Sequence, residues 1–335
     1  MFREREGKEE IFIVSAHLPE LKHFRIEPLA DGVYAAIASE QGYAICNAGI
    51  VDIGDRTVVF DTFISPDAAK NLLKAAKQLT SHEAICVVSS HYHNDHIRGN
   101  QVFSPDVDVI STTRTREGII QNEPKEIQWE RENIPRGIID AQLKLAAEKN
   151  PKRRRELAFL IVYYRAIIES HPQLKTRLPN ITFESPKLVI HGTQRTVELL
   201  SFVGHTASDL VLYLPEEKIA FMGDLLFINI HPYMPSGFPE CWKESVGMVK
   251  ALGIQAVIPG HGPVGRSADL SVMTQYIQSL ENIVAKMMKS GKSLEEVSLQ
   301  PIPTQFKNWL LFFDNFFVAN LQFLYKCIAQ GAEKK

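Results

Sequence analysis

The hydrophobic positions in the first third of the chain form short runs, rich in Val, Ile and aromatic residues, that are separated by Gly, Asp and Asn. This pattern is typical of strands in an antiparallel or mixed sheet. One segment differs, because Pro66 follows Ser65 and leucine and alanine then recur at helical spacing, which predicts an amphipathic helix over 66–79. The predicted strands cover 11–16, 32–38, 43–54, 57–62 and 84–90.

The pattern changes over residues 114–180, a long charged stretch that contains five prolines. Segments 138–149 and 154–169 have helical periodicity, so the stretch predicts a helical insertion or lid. The basic run 152–155 could bind an anion. The acidic residues near it favour the other interpretation, an ordinary solvated helix start.

After residue 185 the strand pattern returns, and the chain then ends in helices. Two β-rich halves, each followed by helices, suggest an α+β fold, a four-layer αββα sandwich. We expect one such domain over 1–267, interrupted by the insertion at 114–180, and a C-terminal helical segment over 268–335. The predicted strands are 187–192, 195–204, 209–215, 218–224 and 256–260, and the predicted helices are 239–252, 268–290, 293–297 and 305–330.

Composition adds little to this picture and excludes some classes of function. A net charge of −2 gives no indication of a nucleic-acid or membrane partner. The charged N-terminus predicts no signal peptide, and no apolar run reaches the roughly 18 residues of a membrane-spanning helix. The four cysteines form no CxxC pair, so we expect a reduced, cytoplasmic protein.

The segment His-Tyr-His-Asn-Asp-His at 91–96 carries the strongest chemical signal in the chain. His91, His93, Asp95 and His96 all have side chains that bind metals. No helix face gathers residues at i, i+2 spacing, whereas a tight loop can gather them around two ions. A polar surface turn rich in histidine is the other explanation. The segment follows the apolar strand 84–90, as ligand-binding loops do in open α/β sheets.

Three further candidate ligands stand in the same kind of position. His205, Asp224 and His261 each follow a predicted apolar strand, and each has a neighbouring glycine that allows close backbone approach. Any one of them could be a polar turn residue. Together with 91–96 they predict a metal centre at the ends of the strands.

These motifs resemble those of the metallo-β-lactamase superfamily, over roughly 25–112 and 185–267. The resemblance implies an αββα sandwich with two metal ions at one edge, between the sheets. It also implies that Asp61, in Phe-Asp-Thr, orients the histidine loop through hydrogen bonds. The implied ligands are His91, His93 and His205 for the first metal, Asp95, His96 and His261 for the second, and Asp224 as the bridge between both.

Such a site predicts hydrolysis. Two divalent ions that share a water lower its pKa from about 15.7 toward about 7, and they also polarise a carbonyl oxygen. Asp95 and Asp224 would be the catalytic carboxylates. The thioesterase, lactonase and nuclease branches of the superfamily have Asp at the bridging position, where β-lactamases usually carry Cys or Ser. We therefore expect two zinc ions (iron or manganese being possible) and a small ester, thioester or lactone substrate.

Two alternatives remain open on the sequence. One is a phosphodiesterase or nuclease of the same fold, although nucleic acid is not the expected partner. The other is a mononuclear iron dioxygenase that acts on a persulfide and uses only His91, His205 and Asp224. His231 and Tyr233, shortly after Asp224, could line the substrate pocket or could be ordinary packing residues. A homodimer is possible.

Overall fold

Two β-sheets form the centre of the protein, whose structure is a computed structural model that describes residues 21–313 and 315–333. The first sheet has seven strands in chain order, and the second has five, in the order β12-β11-β10-β9-β8. The strand predicted at 11–16 lies outside the described residues. The strands are β1 Phe24–Ala30, β2 Val33–Ala38, β3 Ala48–Asp52, β4 Thr57–Phe60, β5 Ile85–Val88, β6 Asp108–Thr112, β7 Ile181–Phe183, β8 Lys187–His191, β9 Thr196–Phe202, β10 Asp209–Leu214, β11 Ile219–Phe221 and β12 Ala256–Ile258.

Eight α-helices surround the sheets in the described part of the chain. The first begins where the sequence predicts, because the Ser65 side chain accepts a hydrogen bond from the backbone N–H of Asp67 and Pro66 occupies the first turn. The helices are α1 Pro66–Thr80, α2 Asn94–Ile97, α3 Thr113–Ala147, α4 Pro151–Ser170, α5 Pro239–Ala251, α6 Ser267–Lys289, α7 Leu294–Ser298 and α8 Phe316–Glu333.

The layers stack as an αββα sandwich, which confirms the predicted fold. Apolar side chains of the two sheets meet in a shared core, where the Phe60 and Phe221 ring centroids are 6.1 Å apart. Helix α1 covers the outer face of the first sheet, and α5, α6 and α8 cover that of the second. Gly49 is needed in this core, since a Cβ there would lie 2.7 Å from the Phe221 ring. The central strands β4, β5, β10 and β11 are therefore buried on both faces.

The insertion is more regular than the sequence pattern predicts. Helix α3 runs unbroken for 35 residues through Pro124 and Pro135, whereas the periodicity predicted a helix only from 138. Each proline removes one backbone hydrogen bond, yet buried Ile134 packs against α4 and the first sheet's loops, and this packing outweighs the local cost. No helix in the described ranges is long and apolar enough to cross a membrane.

The basic run 152–155 lies in the first turn of α4. Lys152 and Arg153 pair with Glu156 at 2.9 and 3.1 Å, and Arg155 pairs with Glu40. These contacts agree with the interpretation of the run as a helix start.

The C-terminal tail departs from prediction between residues 307 and 315. A single helix was expected over 305–330, but α8 begins only at Phe316. Leu310 pairs with Ile230 in a β-bridge, and the Trp309 ring stacks on Tyr276 with centroids 5.2 Å apart. These contacts hold Trp309 and Leu310 against the core in a non-helical conformation, so tertiary packing overrides the local helix propensity.

Candidate metal centre

The histidine loop joins β5 to the short helix α2 at the open edge of the sandwich. Strand β5 ends at Val88, and the chain then turns through His91 and His93 before Asp95 and His96 appear on a single helical turn. His91 and His96 are fully buried. The loop therefore presents its side chains inward, as predicted for a metal site, and not to solvent as in a surface turn.

A first cluster forms where three imidazoles converge. The Nδ1 atom of His93 lies 3.0 Å from His91 Nε2 and 2.9 Å from His205 Nε2. Asp224 Oδ2 lies 3.3 Å from His205 Nε2 and 3.9 Å from His91 Nε2. Burial lowers the pKa of His93 to about 4 and that of His205 to about 3, and it holds the pKa of His91 well below its usual value. All three rings are neutral at neutral pH, so each can offer a lone pair.

A second cluster faces the other oxygen of the same aspartate. Asp224 Oδ1 lies 3.2 Å from His96 Nε2 and 3.4 Å from His261 Nε2. Asp95 Oδ2 lies 3.2 Å from His261 Nε2 and 3.6 Å from His96 Nε2. Burial alone would lower the pKa of His261, but the carboxylates of Asp224 and Asp95 outweigh it and raise that pKa to about 9. Asp224 thus presents one oxygen to each cluster.

The seven residues fit a pair of divalent cations. Imidazole nitrogens and carboxylate oxygens are ligands of zinc and related metals. His96 Nε2 and Asp224 Oδ1 are buried, and neither has a hydrogen-bond partner in the described part of the chain. Such orphaned atoms are costly unless a cation satisfies them. The candidate ligands are His91, His93, His205 and Asp224 at one point, and His96, His261, Asp95 and Asp224 at the other.

Asp61 fixes the orientation of the histidine loop from behind. Its Oδ2 accepts hydrogen bonds from His96 Nδ1 at 2.7 Å and from Ser90 Oγ at 2.8 Å, and its Oδ1 accepts one from the Ser90 N–H at 2.7 Å. Ser90 Oγ also lies 2.9 Å from His91 Nδ1. These contacts hold the proton of His91 and of His96 on Nδ1, so Nε2 of both rings is free to bind a metal. The sequence indicated Asp61 but not Ser90, whose only signal is its position next to His91.

Replacing Asp61 by asparagine is expected to weaken metal binding by about 10- to 100-fold, because an amide cannot accept all three of these hydrogen bonds. Competition with a chelating dye measures the affinity of each variant for zinc. Asp52→Asn is the matched control, since Asp52 also contacts a histidine, His82 at 3.0 Å, but lies outside the clusters. Equal affinities in the two variants would contradict the role given to Asp61.

His261 and Asp95 have their own supporting contacts. His261 Nδ1 lies 3.2 Å from the carbonyl oxygen of Ile45, and the Phe227 ring stacks on the His261 ring at 5.2 Å. The Cys46 thiol donates to the carbonyl oxygen of Asp95 at 2.9 Å. Burial raises the pKa of this thiol to about 12, so it stays neutral and acts as a hydrogen-bond donor. No sequence motif indicated a role for Cys46.

A cavity of about 570 Å³ opens over the two clusters. Its floor includes His93, Asp95, Asp224 and His261, and its walls come from the insertion and from residues 312–313 and 315–316. Tyr233 lies in the wall, with its ring centroid 6.4 Å from that of His93. The aromatic residues of the lining are Tyr92, Trp129, Tyr163, Tyr164, Phe227, Tyr233, Phe312, Phe313 and Phe316.

His231 does not line this cavity, contrary to the hypothesis drawn from the sequence. It is fully buried among the C-terminal helices, where its Nδ1 lies 3.0 Å from the Tyr276 hydroxyl and its ring contacts Trp309 and Phe317. Burial lowers its pKa to about 3. Because α6 and α8 cover this part of the chain, His231 is a neutral packing residue.

Comparison with known proteins agrees with this geometry. A family model described as the metallo-beta-lactamase superfamily matches residues 42–261, which is well over half of the chain and includes all seven candidate ligands. The chain belongs to the metallo-β-lactamase superfamily. This superfamily consists largely of metal-dependent hydrolases. Membership accounts for the sandwich and for the ligand positions at its edge.

Individual relatives in the superfamily are distant. The chain is 28% identical over 117 residues to the beta-lactamase-like protein 2 homolog of Caenorhabditis elegans, a match that covers 33% of this chain and 36% of that protein. A metallo-β-lactamase from Pontibacter korlensis superposes with a TM-score of 0.56 at 17% identity, covering 76% of this chain and 99% of its own. The DIM-1 metallo-β-lactamase gives 0.55 at 17% identity, covering 78% and 99%. At such identities the structural likeness establishes the fold.

Proposed function

We propose that the protein is a dinuclear zinc hydrolase that acts on small ester, thioester or lactone substrates. The observation that carries the proposal is the shared carboxylate. Asp224 presents one oxygen to each of two ligand clusters, and both clusters lie at the floor of one cavity. Carbonyl compounds bound in that cavity would lie over both clusters.

The chain's own side chains have distinct tasks in this reaction. Bound at the clusters, two divalent ions supply an ionised water near neutral pH and polarise the substrate carbonyl. Asp224 links the two clusters, because it presents one carboxylate oxygen to each. Asp95 reaches His261 at 3.2 Å and also lines the cavity, so it can accept a hydrogen bond from the attacking water and orient it.

The cavity wall indicates the character of the substrate. Aromatic side chains dominate the lining, together with Ile45, Ile134 and Ile167, and Lys125 is the only lysine or arginine among the described lining residues. Apolar pockets bind the non-reacting part of a ligand by removing apolar surface from water. We therefore propose that the substrate carries an uncharged apolar group beside its reactive carbonyl.

The alternatives from the sequence have less support. A nuclease uses several cations to bind phosphates, whereas the basic run 152–155 lies in the first turn of α4 and is absent from this cavity. A mononuclear dioxygenase would leave His96 and His261 without a function, yet both converge on Asp224 Oδ1.

We expect the purified chain to contain about two zinc ions and to hydrolyse p-nitrophenyl esters with an efficiency that rises with the length of the acyl chain. Each added methylene that is buried contributes about 0.8 kcal/mol, which is up to about fourfold in kcat/KM. Elemental analysis and a panel of esters, thioesters, lactones and bis-p-nitrophenyl phosphate measure both quantities.

Two results would contradict the proposal. One iron per chain, with oxygen consumed in the presence of a persulfide, would indicate the dioxygenase. Preferred hydrolysis of the phosphodiester, together with nucleic-acid binding that falls steeply with salt, would indicate the nuclease.

A further inference from the structure

We propose that Glu126, on the insertion helix α3, is the general acid that protonates the leaving group during ester hydrolysis. This inference rests on the proposed function. Glu126 is outside the seven candidate ligands, yet it lines the same cavity as Asp95 and Asp224. The insertion therefore contributes a carboxyl group to the cavity in which the reaction would take place.

The side-chain amide of Asn94, the first residue of α2, holds Glu126 in place. The Asn94 Nδ2 group donates to Glu126 Oε1 at 2.9 Å and to Glu130 Oε1 at 2.9 Å. Asn94 stands between His93 and Asp95 in the chain, so this contact holds the Glu126 carboxyl against the segment that carries candidate ligands. With Oε1 occupied as an acceptor, Oε2 is the oxygen that can carry a proton.

The neighbouring carboxylates of α3 have other partners. Arg98 Nε lies 2.8 Å from Glu123 Oε1, and Arg98 Nη1 lies 3.0 Å from Glu130 Oε1. Glu130 Oε2 also lies 2.8 Å from His171 Nε2. The buried guanidinium of Arg98 is thus already paired with the carboxylates of Glu123 and Glu130. Glu126 contacts an amide instead, and an amide favours the charged form far less than a cation does.

This arrangement favours the neutral acid. Burial raises the pKa of Glu126 to about 8, the negative charges of Glu130, Glu123 and Asp95 act in the same direction, and the positive charge of Arg98 opposes them. Below that pH most molecules carry the proton, and above it the proton is lost. The hydroxyls of Tyr92, Tyr163 and Tyr233 also interact electrostatically with this carboxyl. Lys125 is the cation that α3 adds to the cavity lining.

In the proposed step, the attacking water first releases one proton to solvent. The oxygen of the resulting hydroxide forms a bond to the carbonyl carbon, and the bond from that carbon to the leaving oxygen breaks. The leaving oxygen keeps the electron pair of the broken bond and takes the proton from Glu126 Oε2. The products are a carboxylic acid and an alcohol, and Glu126, now a carboxylate, regains a proton from solvent. The acid matters most for alkoxide leaving groups, which are strongly basic, and little for p-nitrophenolate.

The test is Glu126→Gln, which keeps an acceptor for Asn94 but has no acidic proton. The metal-loaded protein is assayed with three esters of the same acid, formed with p-nitrophenol, phenol and a simple alcohol. The kcat/KM values for the three esters are then compared. We expect kcat/KM for the alkyl ester to fall by about 10²- to 10³-fold and that for the p-nitrophenyl ester to change by less than about threefold. In the wild type, alkyl ester hydrolysis falls as pH rises above about 8, and the variant loses this pH dependence.

Infrared difference spectra supply a readout that does not depend on turnover. The wild type at neutral pH is expected to show a protonated-carboxyl band that Glu126→Gln lacks. Glu132→Gln is the matched control, because Glu132 lies on the same helix, is exposed and contacts Gln128 instead of the ligand loop. Metal content is measured in all three proteins.

Two outcomes overturn the inference while leaving the proposed function intact. These are an equal loss for all esters in Glu126→Gln, which indicates a structural anchor, and the absence of the carboxyl band. If the wild type hydrolyses no ester or thioester at all, the proposed function fails, and the role of Glu126 fails with it.

Discussion

Replacement of Asp224 by alanine is expected to lower hydrolytic activity by at least about 10³-fold, a loss of about 4 kcal/mol in transition-state stabilisation. The Asp224 carboxylate contacts both clusters, with Oδ2 at 3.3 Å from His205 Nε2 and Oδ1 at 3.2 Å from His96 Nε2. Its loss removes a candidate ligand from both clusters at once. It also removes the negative charge that balances the crowded histidines, so metal content should fall below two ions per chain.

The measurement is elemental analysis of the dialysed variant together with the ester assay, and circular dichroism checks that the variant is folded. Asp52→Ala is a suitable control, because Asp52 is also a hydrogen-bonded aspartate at a strand end but is remote from the clusters. Full occupancy and unchanged activity in Asp224→Ala would show that the clusters do not share this carboxylate.

The ligand positions could be predicted because each depends on a local pattern. His205, Asp224 and His261 come shortly after β9, β11 and β12, and the histidine loop follows β5. A short apolar run followed by Gly and a polar residue is a feature of a few adjacent positions. The resemblance of these motifs to a known superfamily then supplied the roles of the residues.

The contacts of the insertion could not be predicted in this way. Arg98 and Glu123 are 25 positions apart, and the charged pattern of α3 is equally typical of a solvated helix. Their burial depends on how α3 packs over the ligand loop. Long-range packing also explains why the sequence did not place His231. Its surroundings are formed by helices more than 40 residues later in the chain.

The network around Asn94 and Arg98 joins the segment that carries candidate metal ligands to the helical insertion. Asn94 is the first residue of α2, directly after His93, and Arg98 directly follows α2. Both contact carboxylates of α3. A change in the position of α3 is therefore transmitted to the metal ligands, so the insertion affects the geometry of the site as well as the shape of the cavity.

Replacing Arg98 by methionine is expected to cost about 3 to 5 kcal/mol of stability, because it leaves Glu123 and Glu130 buried without their cation. The Arg98 side chain is 1% exposed, and its two partners are 1% and 2% exposed. Denaturant unfolding of the metal-free protein measures the change. Arg136→Met on α3 is the control, because Arg136 is 88% exposed and lies 3.8 Å from Asp140, a surface pair worth less than about 1 kcal/mol.

A triple variant separates the loss of charge balance from the loss of packing. Arg98→Met combined with Glu123→Gln and Glu130→Gln removes the cation together with both carboxylate charges, so it should recover a large part of the stability that Arg98→Met loses. Methionine keeps most of the apolar stem of arginine, which limits any cavity. No recovery would mean that packing, and not the uncompensated carboxylates, accounts for the loss. If Arg98→Met loses no more stability than Arg136→Met, the ion pairs of Arg98 do not stabilise the packing of α3 against α2 and the histidine loop.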